Sequence, residues 1–361
     1  MKYFPAFAPL LAALSLAVCM PSPGQTSAAP AVPISVDQAV DEALHSNPEI
    51  RVGVRRLTLA QLKTTTTRSL DDPMLMVRDW DTPLRKPWDL NQAQLMFSLQ
   101  QTFPGKQKRD VRARIADDDT GAAADDLETL RQEVAASARE ACSTLLRNAD
   151  EMRLRNQQAT VLNQAVSAAL AEYTTGKAPQ SDVLRAQMAL TRLNEHLIEL
   201  EEERDSARAQ LAVLMGRSPD EHIEIAGTYR ATATLPSTDE LERVSIEHRP
   251  ELAALRKQII KAGDESQLSR LAMKPDLTVA GGYMLMPTGS TYRNAYMAEL
   301  TMNLPSLNRA RHEGETKQAD AATDVARAEL DARTSAVFLE IRQAQIELRS
   351  AQTRTMEALR R

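Results

Sequence analysis

Residues 182–216 read DVLRAQMALTRLNEHLIELEEERDSARAQLAVLMG, and this stretch decides the fold. Apolar side chains recur at alternating intervals of three and four residues, and Arg204 is the one interruption. The row comprises Val183, Ala186, Leu190, Leu193, Leu197, Leu200, Arg204, Ala207, Leu211 and Leu214. An average spacing of about 3.5 keeps one seam of a helix turned toward a partner helix as the two supercoil. The stretch therefore predicts a long coiled-coil helix.

Two further tracts have the same spacing. The first row comprises Ala138, Ala141, Leu145, Asn148, Met152, Arg155, Ala159, Leu162, Val166 and Ala169. The second row comprises Leu330, Thr334, Val337, Ile341, Ala344, Leu348 and Ala351. A helix over residues 105–173 would be roughly 100 Å long, which no single globular domain holds. The sequence predicts a mainly α fold of long helical hairpins with a small β part.

The composition of the 361-residue chain excludes several classes of protein. Only 4% of the residues are aromatic, which is too few for a large globular core. The mean hydropathy of −0.38 and the dispersed charges exclude a polytopic helical membrane protein. The net charge of −5 argues against a nucleic-acid partner. An elongated, helix-rich protein remains.

Three segments, 93–100, 277–285 and 295–303, alternate between apolar and polar residues, while 74–82 is less regular. The apolar members are Ala93, Leu95, Phe97, Leu99, Leu277, Val279, Tyr283, Leu285, Tyr296, Ala298, Leu300 and Met302. This alternation is typical of barrel strands, and Trp80, Trp88, Tyr292 and Tyr296 fall near strand ends or loops, as at membrane interfaces. The alternative is two ordinary hairpins packed on helices. Four strands cannot close a barrel, so a membrane location requires several chains.

The chain repeats itself at an offset of about 202 residues. The matched segments are NPEI at 47–50 with RPEL at 249–252, DPML at 72–75 with KPDL at 274–277, and TFP at 102–104 with NLP at 303–305. Ser35 and Gln38 can form a capping box at the start of the first copy, and Ser237 and Glu240 stand at the same place in the second. Each copy is predicted to contain a Pro-broken helix, two strands, a long helix and a return helix.

These landmarks divide the chain. We expect a first repeat over 35–216, ending at a helix stop at Gly216, a linker over 217–236 and a second repeat over 237–361. By the offset, the second repeat would end roughly 55 residues beyond Arg361. Its return helix is therefore expected to be missing from this chain.

The first 29 residues resemble a secretory signal peptide, with Lys2, an apolar run and a small-residue exit. A membrane anchor is the alternative. Residues 16–19, LAVC, resemble a lipoprotein box, although Val18 is larger than that box prefers, so lipidation of Cys19 stays open. Cys142 lies on an apolar helix face and is predicted to be a buried, inert thiol without a disulfide.

Several segments together resemble TolC-like outer membrane efflux proteins. Residues 173–176 (YTTG), 182–187 (DVLRAQ) and 211–216 (LAVLMG) are similar to the hairpin signature of that family, to which Tyr173, Asp182, Leu184 and Ala186 belong. Residues 101–106 (QTFPGK) and 304–309 (LPSLNR) resemble its strand-to-helix corners, especially in the heavy-metal-efflux branch. The resemblance covers about 35–361.

The resemblance implies a homotrimer in the outer membrane whose helices extend into the periplasm. Three chains would share one twelve-stranded barrel, and the tube would dock on a periplasmic adaptor and an inner-membrane pump. Substrates would leave passively, so the chain would be neither an enzyme nor cofactor-dependent. Thr175, Gly176 and Lys177 would form the tip that meets the adaptor, or a plain helical turn. The gate residues of the family would fall beyond Arg361.

The residues themselves favour no catalytic chemistry. The five histidines are scattered, without metal-binding spacing, and no phosphate-binding loop or nucleophile elbow occurs. The acidic runs 117–119 and 201–203 are interpreted as solvated helix faces rather than metal sites. Methionines gather in the strands, where barrel packing and a path for soft metal ions are both open. The alternative function is a soluble periplasmic coiled-coil scaffold or adaptor, and the cargo is either metal ions or organic compounds.

Overall fold

The computed structural model describes residues 33–80, 94–227, 236–292 and 294–360. The elements of the first half are β1 (Ile34–Ser35), α1 (Val36–Ser46), α2 (Pro48–Arg68), β2 (Met74–Trp80), β3 (Gln94–Phe103), α3 (Lys106–Thr174), α4 (Gln180–Leu214) and β4 (Ile225–Ala226). Those of the second half are α5 (Thr238–His248), α6 (Pro250–Leu271), β5 (Leu277–Leu285), β6 (Asn294–Met302), a 3₁₀ turn (Pro305–Asn308) and α7 (Arg309–Arg360). The order in the two halves confirms the predicted duplication, and the chain is mainly helical.

The helix ends follow from local chemistry. The Ser35 N–H donates to Gln38 Oε1 at 2.9 Å and the Gln38 N–H donates to Ser35 Oγ at 3.2 Å, so the predicted capping box is present. The Asn47 side chain accepts from the N–H groups of Glu49 and Ile50 and thereby starts α2 directly after α1 ends. In the second copy the Ser237 hydroxyl accepts from the Glu240 N–H at 3.3 Å.

The predicted seams are the buried sides of the long helices. Every position of the row in α4 is buried or half-buried, and so is every position of the row in α3. The 69-residue α3 packs against α1, α2, α4 and α6, and α7 packs against α5 and α6. One prediction in α7 was wrong: Ala344 is exposed, while Gln345 is buried and its side-chain oxygen accepts from Thr238 of α5 at 2.5 Å.

A hydrophobic core lies where α1, at the start of the first repeat, meets α3 and the end of α4. Ala39, Ala43, Ala138, Cys142 and Leu211 are each 0% exposed there. β1 and β4 pair in parallel beside this core, and the Arg217 guanidinium binds both carboxylate oxygens of Glu42 at 2.6 Å. Cys142 is buried as predicted, and burial raises the pKa of its thiol to about 11.

The remaining strands form one antiparallel sheet in the order β2-β3-β5-β6, so that the two repeats meet between β3 and β5. The helices that precede and follow these strands along the chain end or begin within a few residues of them. In the described part of the chain, no helix is both long enough and apolar enough to cross a lipid bilayer.

Candidate functional site

The register of the sheet places the predicted apolar residues of the described strands on one face, while Ala93, predicted with them, lies outside the described residues. Phe97 of β3 pairs with Val77 of β2 and with Tyr283 of β5. Leu99 pairs with Leu75 in the next row. Leu95 on this face is half-buried. Several other apolar residues on it are between 38% and 70% exposed, including Leu75, Val77, Phe97, Leu99, Leu277, Val279, Leu300 and Met302. A contiguous apolar surface of this kind marks contact with a membrane or with another protein.

The opposite face is polar and more enclosed. Met96 and Ser98 alternate with the apolar residues of β3 and are 1% and 4% exposed. The hydroxyls of Thr102 and Thr278 lie 3.1 Å apart across the two repeats, and Glu299 extends the polar face onto β6. The sheet therefore has the two-sided character that the alternation predicted.

Aromatic residues stand near the ends of the strands. Trp80 is the last residue of β2, Tyr292 precedes β6 and Tyr296 lies within it, and these side chains are 43%, 75% and 88% exposed. The Tyr296 ring packs against Tyr283 with the ring centroids 5.6 Å apart. Trp88, predicted to share this position, lies outside the described residues.

An ion pair between a buried lysine and a half-buried aspartate joins the two repeats where the sheet meets the helices. Lys108 Nζ lies 2.8 Å from Asp276 Oδ1 and donates to the Lys274 carbonyl at 2.7 Å. Burial raises the pKa of Asp276, but the hydrogen bond from Lys108, that from the Gly105 N–H and the nearby positive charges outweigh it and leave this pKa below its ordinary value. Sequence reasoning missed the pair: Asp276 lies in the matched segment 274–277, whereas Lys108 lies two residues beyond the corner segment 101–106.

The predicted tip is the turn between α3 and α4. Because α3 starts at the sheet and runs for 69 residues, the turn lies roughly 100 Å from the sheet. Gly176 has a φ of 72°, and a Cβ atom there would have no neighbour within 4 Å. The N–H of Gly176 donates to the Tyr173 carbonyl and that of Lys177 to the Glu172 carbonyl, which ends α3 in a Schellman motif.

Other residues of the hairpin signature lie on either side of this turn. Thr175, Gly176 and Lys177 are exposed, and Tyr173 and Leu184 are 43% and 50% exposed. Ala186 and Asp182 are half-buried. Asp182 lies in the first turn of α4, where a carboxylate is favourable to the helix dipole.

The acidic runs differ from each other. Glu201, Glu202 and Glu203 are exposed, as predicted. Asp119 instead joins three helices, because its carboxylate lies 2.7 Å from Lys261 of α6 and 3.5 Å from Lys63 of α2. Long basic side chains on the facing helices reach this carboxylate. The residue spacing within a single helix cannot predict such a contact.

The other candidate ligands do not form a site. Within the described ranges, no group of three or more His, Cys, Asp and Glu side chains could hold a metal ion. Cys19, the candidate for lipidation, and the signal peptide over 1–29 lie outside the described residues.

Comparison with known proteins identifies the family. Residues 39–217 match the family model described as outer membrane efflux protein. No curated protein matches the chain. Among solved structures, the outer-membrane channel OprN is similar at 16% identity and a TM-score of 0.72, covering 90% of this chain and 75% of that one.

Two further structures have the same fold. The outer membrane protein VceC from Vibrio cholerae is 19% identical with a TM-score of 0.70, covering 90% of this chain and 81% of that one. CusC is 14% identical with a TM-score of 0.69, covering 97% of this chain and 87% of that one. These structures show that the fold is shared. The match to the family model, together with the hairpin, the sheet and the duplication, assigns the chain to the outer membrane efflux protein family, as a protein of the outer membrane with a periplasmic extension.

Proposed function

We propose that the chain is the outer-membrane channel subunit of a tripartite efflux system and provides a passive exit for substrates. The observation that carries this proposal is the two-faced sheet at one end of a helix, α3, that is roughly 100 Å long. An apolar face on one side and a polar face on the other suit a wall between lipid and a water-filled lumen. The helices would continue this wall into the periplasm.

The edges of the sheet support an assembly of several copies. Among the described strands, β2 and β6 each have a neighbour on one side only. Open edges in lipid would leave backbone N–H and C=O groups unsatisfied, and a barrel needs about eight strands or more. Three copies with four strands each would close one barrel. Exposed aliphatic residues on the helices, such as Leu62 of α2 and Ile346 of α7, would then lie against neighbouring copies.

The partners follow from the same proposal. The tip formed by Thr175, Gly176 and Lys177 would contact a periplasmic adaptor, because it is the exposed end of the hairpin farthest from the sheet. An inner-membrane pump would supply the energy, and this chain would make and break no bonds. The proposed cargo is metal ions or organic compounds.

Arginine substitutions on the two faces of β3 test the membrane position of the sheet. Leu99→Arg places a charge on the apolar face and is expected to cost about 2–4 kcal/mol per chain in the bilayer. Gln100→Arg, at the next residue of the same strand, places the charge on the polar face and serves as the matched control. The readout is the amount of heat-resistant oligomer in the outer-membrane fraction.

We expect Leu99→Arg to remove the oligomer from the membrane fraction and Gln100→Arg to leave it there. If both variants behave alike, the sheet is an ordinary pair of hairpins packed on helices. If the unsubstituted chain fractionates with soluble periplasmic proteins, the scaffold alternative is correct and the channel proposal is wrong.

A bulky side chain at the tip tests the adaptor contact. Gly176→Trp should abolish adaptor capture in a pull-down without lowering the yield of trimer. Gly176→Ala introduces the same backbone strain with little added bulk, and it should retain capture. Unchanged capture by the Trp variant would show that the adaptor binds elsewhere.

A further inference from the structure

Five of the 14 methionines in the chain share one face of the sheet. They are Met74, Met76, Met96, Met284 and Met297. Successive side chains of a strand point to opposite faces, and the register places these five in phase with Ser98 and out of phase with the exposed apolar residues. They therefore lie on the polar face, which would line the lumen of the proposed channel.

Four of these methionines form a row that crosses all four strands. Met96 of β3 pairs directly with Met284 of β5. Met76 of β2 pairs with Ser98, two residues from Met96, and Met297 of β6 pairs with Gly282, two residues from Met284. Directly paired Cβ atoms lie about 5 Å apart and diagonal neighbours about 7–8 Å apart, so neighbouring thioethers are within reach of one another. We call these four residues the methionine row.

Apolar packing alone does not account for the methionine row. Met96 is buried, and the side chains of Met76, Met284 and Met297 are half-buried. Their direct neighbours are mixed: the Gln94 side-chain amide donates to the Met284 sulfur and Ser98 is paired with Met76, while Ala295 is paired with Met284. A methionine that fills a gap in an apolar core would have aliphatic neighbours without these polar groups.

Charged groups of both signs flank the methionine row. Glu299 of β6 lies two residues from Met297 on the same face and adds a negative charge. Arg78 of β2 also shares the face and is paired directly with Met96, but its guanidinium lies over the Trp80 ring, 6.0 Å from the centroid. Among the described residues, no cluster of three or more His, Cys, Asp and Glu side chains offers a site for a hard divalent ion.

We propose that the methionine row binds soft monovalent cations, Cu(I) or Ag(I), as they pass through the channel. The inference rests on the proposed function and names the class of its cargo. Thioethers are uncharged soft donors that select Cu(I) over hard divalent ions. Several weak neighbouring sites also suit passage, because an ion must bind well enough to enter and weakly enough to leave.

Silver binding to the purified full-length chain in detergent tests the proposal. Ag(I) is the probe, measured by isothermal titration calorimetry. The test variant is M96L/M284L/M297L, because Leu keeps the volume and removes the sulfur. The matched control is M188L/M273L/M302L, which removes three exposed thioethers outside the row, including Met302 on the apolar face of β6.

We expect the unsubstituted chain and the control to bind Ag(I) alike, and the row variant to bind it at least tenfold more weakly. Equal binding by the row variant and the control, or no binding by the unsubstituted chain, overturns the proposal. Potassium conductance of the same preparations in planar bilayers separates the two proposals. Conductance without row-dependent Ag(I) binding overturns the methionine site alone, whereas row-dependent binding without conductance supports the site and overturns the channel.

Discussion

Gly216 should be the less replaceable of the two glycines that end the long helices. Gly176 and Gly216 have almost the same backbone conformation, with φ of 72° and 70°. Each ends its helix with a Schellman motif. Their surroundings differ, because a Cβ atom at Gly216 would lie 2.5 Å from the carbonyl oxygen of Ser46, while one at Gly176 would have no neighbour within 4 Å.

The expected costs follow from these contacts. Alanine in the left-handed region raises the free energy of the folded state by about 1–2 kcal/mol. Alanine also reduces the conformational entropy of the unfolded chain, which partly offsets this cost, so Gly176→Ala should lower the free energy of unfolding by about 1 kcal/mol. Gly216→Ala has the same backbone cost and must also displace the end of α1, which adds about 1–3 kcal/mol of overpacking. That displacement loosens the hydrogen bond from the Asn47 amide to the Leu214 carbonyl, at about 1 kcal/mol. The total for Gly216→Ala is about 3–5 kcal/mol.

The assay is equilibrium unfolding of the purified chain in detergent with urea, followed by the helical circular dichroism signal. Gly216→Ala should shift the midpoint much further than Gly176→Ala, without a change in slope. Equal losses in the two variants would mean that backbone strain alone determines the cost. A larger loss at Gly176 would contradict the packing of Ser46 against the end of α4.

Two further predictions concern charged groups. Asp276→Ala leaves the buried Lys108 ammonium without its carboxylate and should lower the free energy of unfolding by about 3–5 kcal/mol in the same assay. Lys108→Met should lower it less, because no buried charge is left unpaired. Equal losses in the two variants would contradict this account of the pair. The hydrogen bond between His196 and Glu199, and next that with Glu151, raise the pKa of His196. The protonated imidazole therefore stabilises the hairpin fully below a pH of about 6.5, and this stabilisation is lost as the pH rises through the raised pKa. His196→Gln should flatten the difference between unfolding midpoints at about pH 5.5 and pH 8.5, and an unchanged difference would assign it to other groups.

The helices and strand faces could be predicted because their signals are local. The seam of α4, the capping box at Ser35 and the breaks before Pro48 and Pro250 depend on residues within a few positions of one another. The strand alternation likewise predicted which side chains share a face, and the register confirms this prediction for the described residues of β3, β5 and β6.

The parts that sequence reasoning missed depend on contacts between the repeats. Lys108 meets Asp276 only because β3 pairs with β5. The same pairing brings Met96 opposite Met284, so methionines that look scattered in sequence form a row. The error at Ala344 has a similar origin, since α5 supplies the partner that turns Gln345 inward.

The central claim is that copies of this chain form a channel through the outer membrane. Single-channel conductance of the purified full-length chain in a planar lipid bilayer tests it most directly. We predict stepwise conductance from the wild-type oligomer and none from Leu99→Arg. A wild-type oligomer that associates with the bilayer and passes no ions would contradict the claim.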